Sequence, residues 1–214
     1  MPTSPGLSRK YPQCYPAPRK YGLVIGCVDC RLLDDLVRFL DHDNLTNRYY
    51  QATFAGCSIG LSGSAPTYYP RRDDKGNPVG APFDFTKWRD TLLDHLRLVL
   101  KLTKGDLTDV YIVEHTDCGA YREFLKEDYF KDPLNPRHKD ERAAHELYAR
   151  SLAAELAAWY ASEECQKAEA ELQRGNPGLK LVPPLVRGFL MDLRGGVDLL
   201  FGPSPEAKDG ECYQ

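Results

Sequence analysis

The feature that most constrains this chain is an alternation: apolar runs ending in small or polar residues, each followed by apolar positions at helical spacing. Residues 23–28 (LVIGCV) read as a buried strand, and Leu32, Leu33, Leu36, Val37 and Leu40 then recur at helical intervals. A second strand is expected over 48–56 (RYYQATFAG), ending in small residues where the backbone can turn tightly. Helical spacing returns at Trp88, Leu92, Leu93, Leu96, Val99 and Leu100, and Gly105 stops it. Residues 109–114 (DVYIVE) form a third strand, and 183–203 contain two strand-like runs around RGG, a hairpin signal. Strands alternating with helices imply the α/β class. The expected fold is a mostly parallel sheet of four to five strands, the last antiparallel, flanked by helices.

At 214 residues and 42% hydrophobic content, one core of ordinary size is the expectation. The predicted organisation is an N-terminal arm over 1–20, a single domain over 21–203 and a tail over 204–214. Within the domain, 61–84 is a Pro-, Gly- and Ser-rich surface insertion. A polar, proline-bearing stretch (131–140) leads into one long helix over about 140–173, whose broad apolar face suggests a homodimer or higher homo-oligomer. A net charge of -3 gives no reason to expect nucleic acid as a partner, although the arm carries Arg9, Lys10, Arg19 and Lys20 with no acid. No run approaches the length that spans a bilayer, and the first residues lack the apolar segment of a signal peptide. The seven cysteines are an odd number in a chain too large to need disulfide staples, which suggests reduced thiols and a cytoplasmic location.

In open parallel sheets, ligands bind beyond the carboxyl ends of the strands, and two strands here end in metal-binding side chains. The first ends in Cys27, with Asp29 and Arg31 following at alternate positions; if the chain stays extended, all three face one side. The third ends in His115 and Cys118, whose spacing lets both converge on one ion across a turn. A Cys2His set suits zinc, and three protein ligands leave the fourth tetrahedral position open, as in catalytic sites.

These residues resemble the β-class carbonic anhydrases. The resemblance rests on Cys27-x-Asp29-x-Arg31, the Ala55-Gly56 turn, His115-x-x-Cys118-Gly119 and the closing VRGFLMDLRGGVDLLF segment, and it runs through about residues 20–203. It implies a Zn2+ cofactor on Cys27, His115 and Cys118, with zinc-held hydroxide attacking carbon dioxide to give bicarbonate. Asp29 is then expected to orient the water and Arg31 to clamp Asp29 in a fork that lysine could not reproduce. The N–H of Gly119, at a helix start, is expected to stabilise negative charge on substrate oxygen, and Gly56 permits close backbone approach below the site. Two departures stand out: a long interval between Cys27 and His115, with the excess in 61–84, and Glu114 where the family usually has glycine. The short arm is similar to that of relatives that hydrolyse carbon disulfide or carbonyl sulfide.

Three other readings compete. Cys27-x-x-Cys30 could be a redox pair, but Asp29 between the thiols disfavours thiolate and leaves His115 and Cys118 unexplained. CS2 or COS could replace CO2 on the same zinc site. A non-enzymatic binding or scaffold protein is the third, against which the intact Asp29–Arg31 pair argues. Cys30 and Cys57 read as packing residues and Cys14, Cys165 and Cys212 as incidental, while His42, His95, His138 and His145 read as surface or core residues.

Overall fold

A computed structural model describes residues 10–12, 20–125 and 138–202. Five strands form one sheet in the order β2-β1-β3-β4-β5: β1 (Tyr21–Cys27), β2 (Tyr49–Phe54), β3 (Leu107–His115), β4 (Leu185–Met191) and β5 (Val197–Phe201). The first four run parallel and β5 pairs antiparallel with β4. Among the described residues the strand count is five, with the hairpin where the RGG signal placed it.

The interior strands carry apolar side chains on both faces because helices cover both. Leu23, Ile25, Val110 and Ile112 pack under α2 (Thr86–Leu102) and α4 (His138–Tyr160), in a core that also takes Leu92, Leu96, Leu152 and Leu156. Val24, Tyr111, Val113, Phe189 and Met191 face the other way, against Leu36, Phe39 and Leu40 of α1 (Leu33–His42). Beside that second core, Arg187 pairs with Asp109 at 2.8 Å, both side chains fully buried. Tyr11, from the described part of the N-terminal arm, stacks on Phe39, and the Lys10 carbonyl accepts from the Val197 N–H at 2.7 Å.

The long helix expected over 140–173 is two. It breaks after Tyr160, and α5 (Glu163–Gln173) restarts with Ser162 as N-cap, its hydroxyl accepting from the Cys165 N–H. The signal was in the sequence: a serine followed by two glutamates favours a new helix start over continuation. The apolar face of α4 is spent on the chain's own core, through Ala149, Leu152, Leu156 and Trp159.

The 61–84 excursion is irregular and mostly exposed, with one isolated bridge between Arg72 and Pro78. It is anchored by aromatic contacts: Tyr68 lies 5.0 Å from Phe124 of α3 (Gly119–Leu125), and Phe83 lies 5.2 Å from Trp88 of α2. Cys14, Cys212, the 204–214 tail, most of the 131–140 stretch and most of the arm lie outside the described residues.

Because β2 lies on one side of β1 and β3 on the other, the chain reverses its direction of travel across the sheet between β1 and β3. That switch point leaves a crevice at the carboxyl ends of these two strands. Cys27 is the last residue of β1 and His115 the last of β3, so the topology brings them together.

Candidate metal centre

The ligand atoms of Cys27, His115 and Cys118 lie within 4.8 Å of one another. The two sulfurs are 4.0 Å apart, close to the roughly 3.8 Å that two zinc–sulfur bonds of about 2.3 Å impose at a tetrahedral angle. His115 is fully buried; its Nδ1 donates to the Thr116 carbonyl at 2.9 Å, which leaves the Nε2 lone pair for the crevice. Among the described residues, that buried Nε2 has no hydrogen-bond partner. Cys27 Sγ accepts from the Gly56 N–H at 3.3 Å. Gly56 sits in the left-handed region at φ 75°, and a Cβ there would meet Ile59 Cγ2 at 2.6 Å.

The electrostatics favour a cation among these three side chains. Hydrogen bonding between the sulfurs pulls the Cys27 thiol well below its usual value and pushes Cys118 up, burial raising Cys118 further. Two thiols in contact, Cys118 buried and Cys27 half-buried, share one proton unless a positive charge replaces it. Burial works against charging His115, but the neighbouring Cys27 sulfur outweighs it and raises the imidazole. A soft divalent cation resolves all three perturbations at once, and this donor set is one that zinc takes.

Asp29 and Arg31 reach the site by a different path from the extended one. The strand stops at Cys27, and residues Cys30–Leu32 form a 3-10 turn capped by Asp29, whose Oδ1 accepts from the Arg31 N–H at 3.0 Å. The turn, not an alternating strand, brings the two side chains together. Arg31 Nε and Nη2 then grip both carboxylate oxygens, at 3.0 and 2.7 Å. Those bonds hold the Asp29 carboxyl down at about 2, well below its ordinary value. Asp29 Oδ2 stands 3.9 Å from His115 Nε2. A cavity of about 280 Å³ reaches the site at Cys27 and Asp29, and is lined mainly by apolar groups including Val28, Leu33, Leu36 and Met191.

Asp117, and the contact that joins Glu114 to His145, escaped the sequence reading. Asp117, at φ 58°, accepts from Arg31 Nη1 at 2.9 Å and also pairs with Arg122. Behind the ligands lies a buried polar cluster: Glu114 accepts from the Ser58 N–H at 3.1 Å and from the Ser58 hydroxyl. Glu114 Oε2 takes His145 Nδ1 at 3.0 Å, and the Tyr121 ring lies 4.0 Å from that imidazole. His145 is thus a core histidine with a defined partner, and Glu114 has a structural use that a glycine could not serve. Cys57 is fully buried, its Sγ donating to the Ile25 carbonyl at 3.4 Å, whereas Cys30 is exposed. Gly119 opens α3 with open space where a Cβ would lie.

No family model matches the chain. A curated relative, an uncharacterized protein of Rickettsia conorii, is 24% identical over 58% of this chain and 52% of its own length. The aligned part therefore spans about half of that relative. Among solved structures the chain is similar to a tetrameric β-carbonic anhydrase of Sordaria macrospora, at 12% identity and a TM-score of 0.38, covering 86% of this chain and 83% of that one. A β-carbonic anhydrase of Aspergillus fumigatus is similar at 16% identity and a TM-score of 0.37, covering 87% and 78%. These likenesses are slight. Among the described residues, no helix is long and apolar enough to cross a membrane.

Proposed function

We propose that the chain is a zinc enzyme that converts carbon dioxide and water reversibly into bicarbonate. The supporting observation is one arrangement: the Cys27, His115 and Cys118 donors within 4.8 Å of one another, and a guanidinium-clamped carboxylate 3.9 Å from the free nitrogen of His115. When bound, zinc supplies Lewis acidity that lowers the pKa of a water from about 15.7 toward roughly 7.

Two anionic thiolates weaken that acidification relative to neutral ligands, so a second group must assist the nucleophile. In this reading Asp29 accepts a hydrogen bond from the attacking water and turns its lone pair toward the substrate, a role supported by its 3.9 Å approach to His115 Nε2. Held ionised by Arg31, it stays an acceptor throughout the neutral range. Arg31 also keeps the carboxylate from turning onto the metal position. The mainly apolar walls receive a neutral substrate and offer its charged product few contacts, which favours release. The Gly119 N–H is assigned to the substrate oxygen that gains charge. Val28 and Leu33, which line the cavity, are 59% and 58% exposed, and a homo-oligomer whose second copy covers them belongs to the same reading. A reducing, cytoplasmic compartment would keep the two thiols available as ligands.

Carbonyl sulfide and carbon disulfide are neutral and linear like carbon dioxide and would use the same residues. Side-by-side turnover of CO2 and COS by the zinc-loaded protein separates them. Faster hydration of CO2 is expected; preference for COS would move the substrate, and inactivity toward both would remove the enzyme reading.

A further inference from the structure

Asp29 and Arg31 lie two residues apart on one short turn, so their mutual grip cannot by itself fix them relative to the metal ligands. A pair on a single loop can swing as a unit. What ties it down is Asp117, between His115 and Cys118 on the other ligand-bearing loop. Arg31 uses both edges of its planar guanidinium. One edge, Nε and Nη2, holds Asp29; the other reaches Asp117, with Nη1 on Oδ2 at 2.9 Å and Nη2 on the Asp117 carbonyl at 3.0 Å. Asp117 is fixed in turn. Its second oxygen takes Arg122, and its backbone N–H donates to Glu141 Oε1 of α4 at 2.6 Å. The left-handed conformation at φ 58° is what points the backbone N–H to α4 while the carboxylate turns to Arg31.

We infer that Asp117 is a positioning residue that anchors the Asp29–Arg31 pair to the His115–Cys118 loop, and so keeps Asp29 from taking the open metal position itself. The inference rests on the metal-site reading above. Asp29 is near enough for the alternative to matter, since its Oδ2 is already 3.9 Å from His115 Nε2. Among the described residues, loss of Asp117 leaves the pair restrained by its own turn alone, and the carboxylate competes with any incoming ligand. The contribution sought is a choice between two rotamers of one carboxylate, not folding stability, where such exposed pairs count for little.

The test is an azide titration of the cobalt-substituted protein, followed by visible absorption, because azide needs an exchangeable coordination position. The wild type is expected to respond. Asp117→Asn should bind azide about tenfold more weakly, the loss produced when Asp29 occupies the position about 90% of the time. Asp117→Gly, which suits the left-handed backbone, should behave alike and guards against misfolding of the first variant. Adding Asp29→Ala to either should restore azide binding, because the competing carboxylate is gone. A merely structural Asp117 would show no such rescue. Wild-type azide affinity in both Asp117 variants, or no recovery on removing Asp29, would overturn the inference while leaving the metal site standing. No thiolate-to-cobalt absorption in the wild type would overturn the metal-site reading and this inference with it.

Discussion

Glu114→Leu is expected to destabilise the protein by about 3 kcal/mol. Glu114 is fully buried and serves two side chains from two other elements, Ser58 and His145. Leucine keeps most of the volume but strands the Ser58 N–H, the Ser58 hydroxyl and the His145 Nδ1–H. Ser58 Oγ lies 3.5 Å from the Tyr121 hydroxyl and can turn to it, so its loss is discounted. The two remaining donors cost about 1–3 kcal/mol each when left buried without an acceptor, and added apolar contact returns about 1 kcal/mol. Glu114→Gln keeps an acceptor for Ser58 and should cost about half as much. Urea unfolding followed by circular dichroism reads the difference: with a slope of about 2 kcal/mol/M, the leucine variant's midpoint falls by about 1.5 M. A midpoint within about 0.25 M of wild type at unchanged slope would refute the reasoning, because an unsatisfied buried cluster cannot be that cheap.

Arg31→Ala should yield a zinc-loaded protein in which Asp29 has turned onto the metal and activity is lost; a crystal structure with water still at that position would contradict this. Gly56→Ala forces a Cβ to 2.6 Å from Ile59 Cγ2 at φ 75°, at a cost of about 2 kcal/mol. Differential scanning calorimetry should show a melting temperature lower by about 5 °C, and an unchanged value would count against the constraint at this turn. Iodoacetamide applied to the native protein should modify exposed Cys30 and spare Cys57, whose thiol burial pushes up. Peptide mass mapping decides this, and early labelling of Cys57 would contradict its placement in the core.

The parts of the fold legible in the sequence are those a single periodicity fixes. The strands β1 and β3 carry unbroken apolar runs, residues 23–25 and 110–113, because helices cover both faces, so the strands and their ends near Cys27 and His115 can be read from residue type. The Asp29–Arg31 pairing was legible as chemistry but not as geometry. Extended spacing and a capped 3-10 turn bring the same two side chains together, and only the backbone distinguishes them. Asp117 was hidden because its role depends on a left-handed backbone, a conformation uncommon for an aspartate and unmarked by any glycine. The Glu114–His145 contact joins a strand to a helix that the topology folds over it, and no local pattern encodes a pairing across elements. The break at Ser162 is the opposite case, since an N-cap serine and two acids announced it and the apolar period on either side outweighed them.

The most direct measurement is stopped-flow hydration of carbon dioxide by the zinc-loaded protein at neutral and mildly alkaline pH, with zinc-treated Cys118→Ser as the control. The expected result is hydration well above the control and dependent on bound zinc. A wild-type rate no faster than that of Cys118→Ser, with zinc shown to be bound, would contradict the assignment of this site to carbon dioxide.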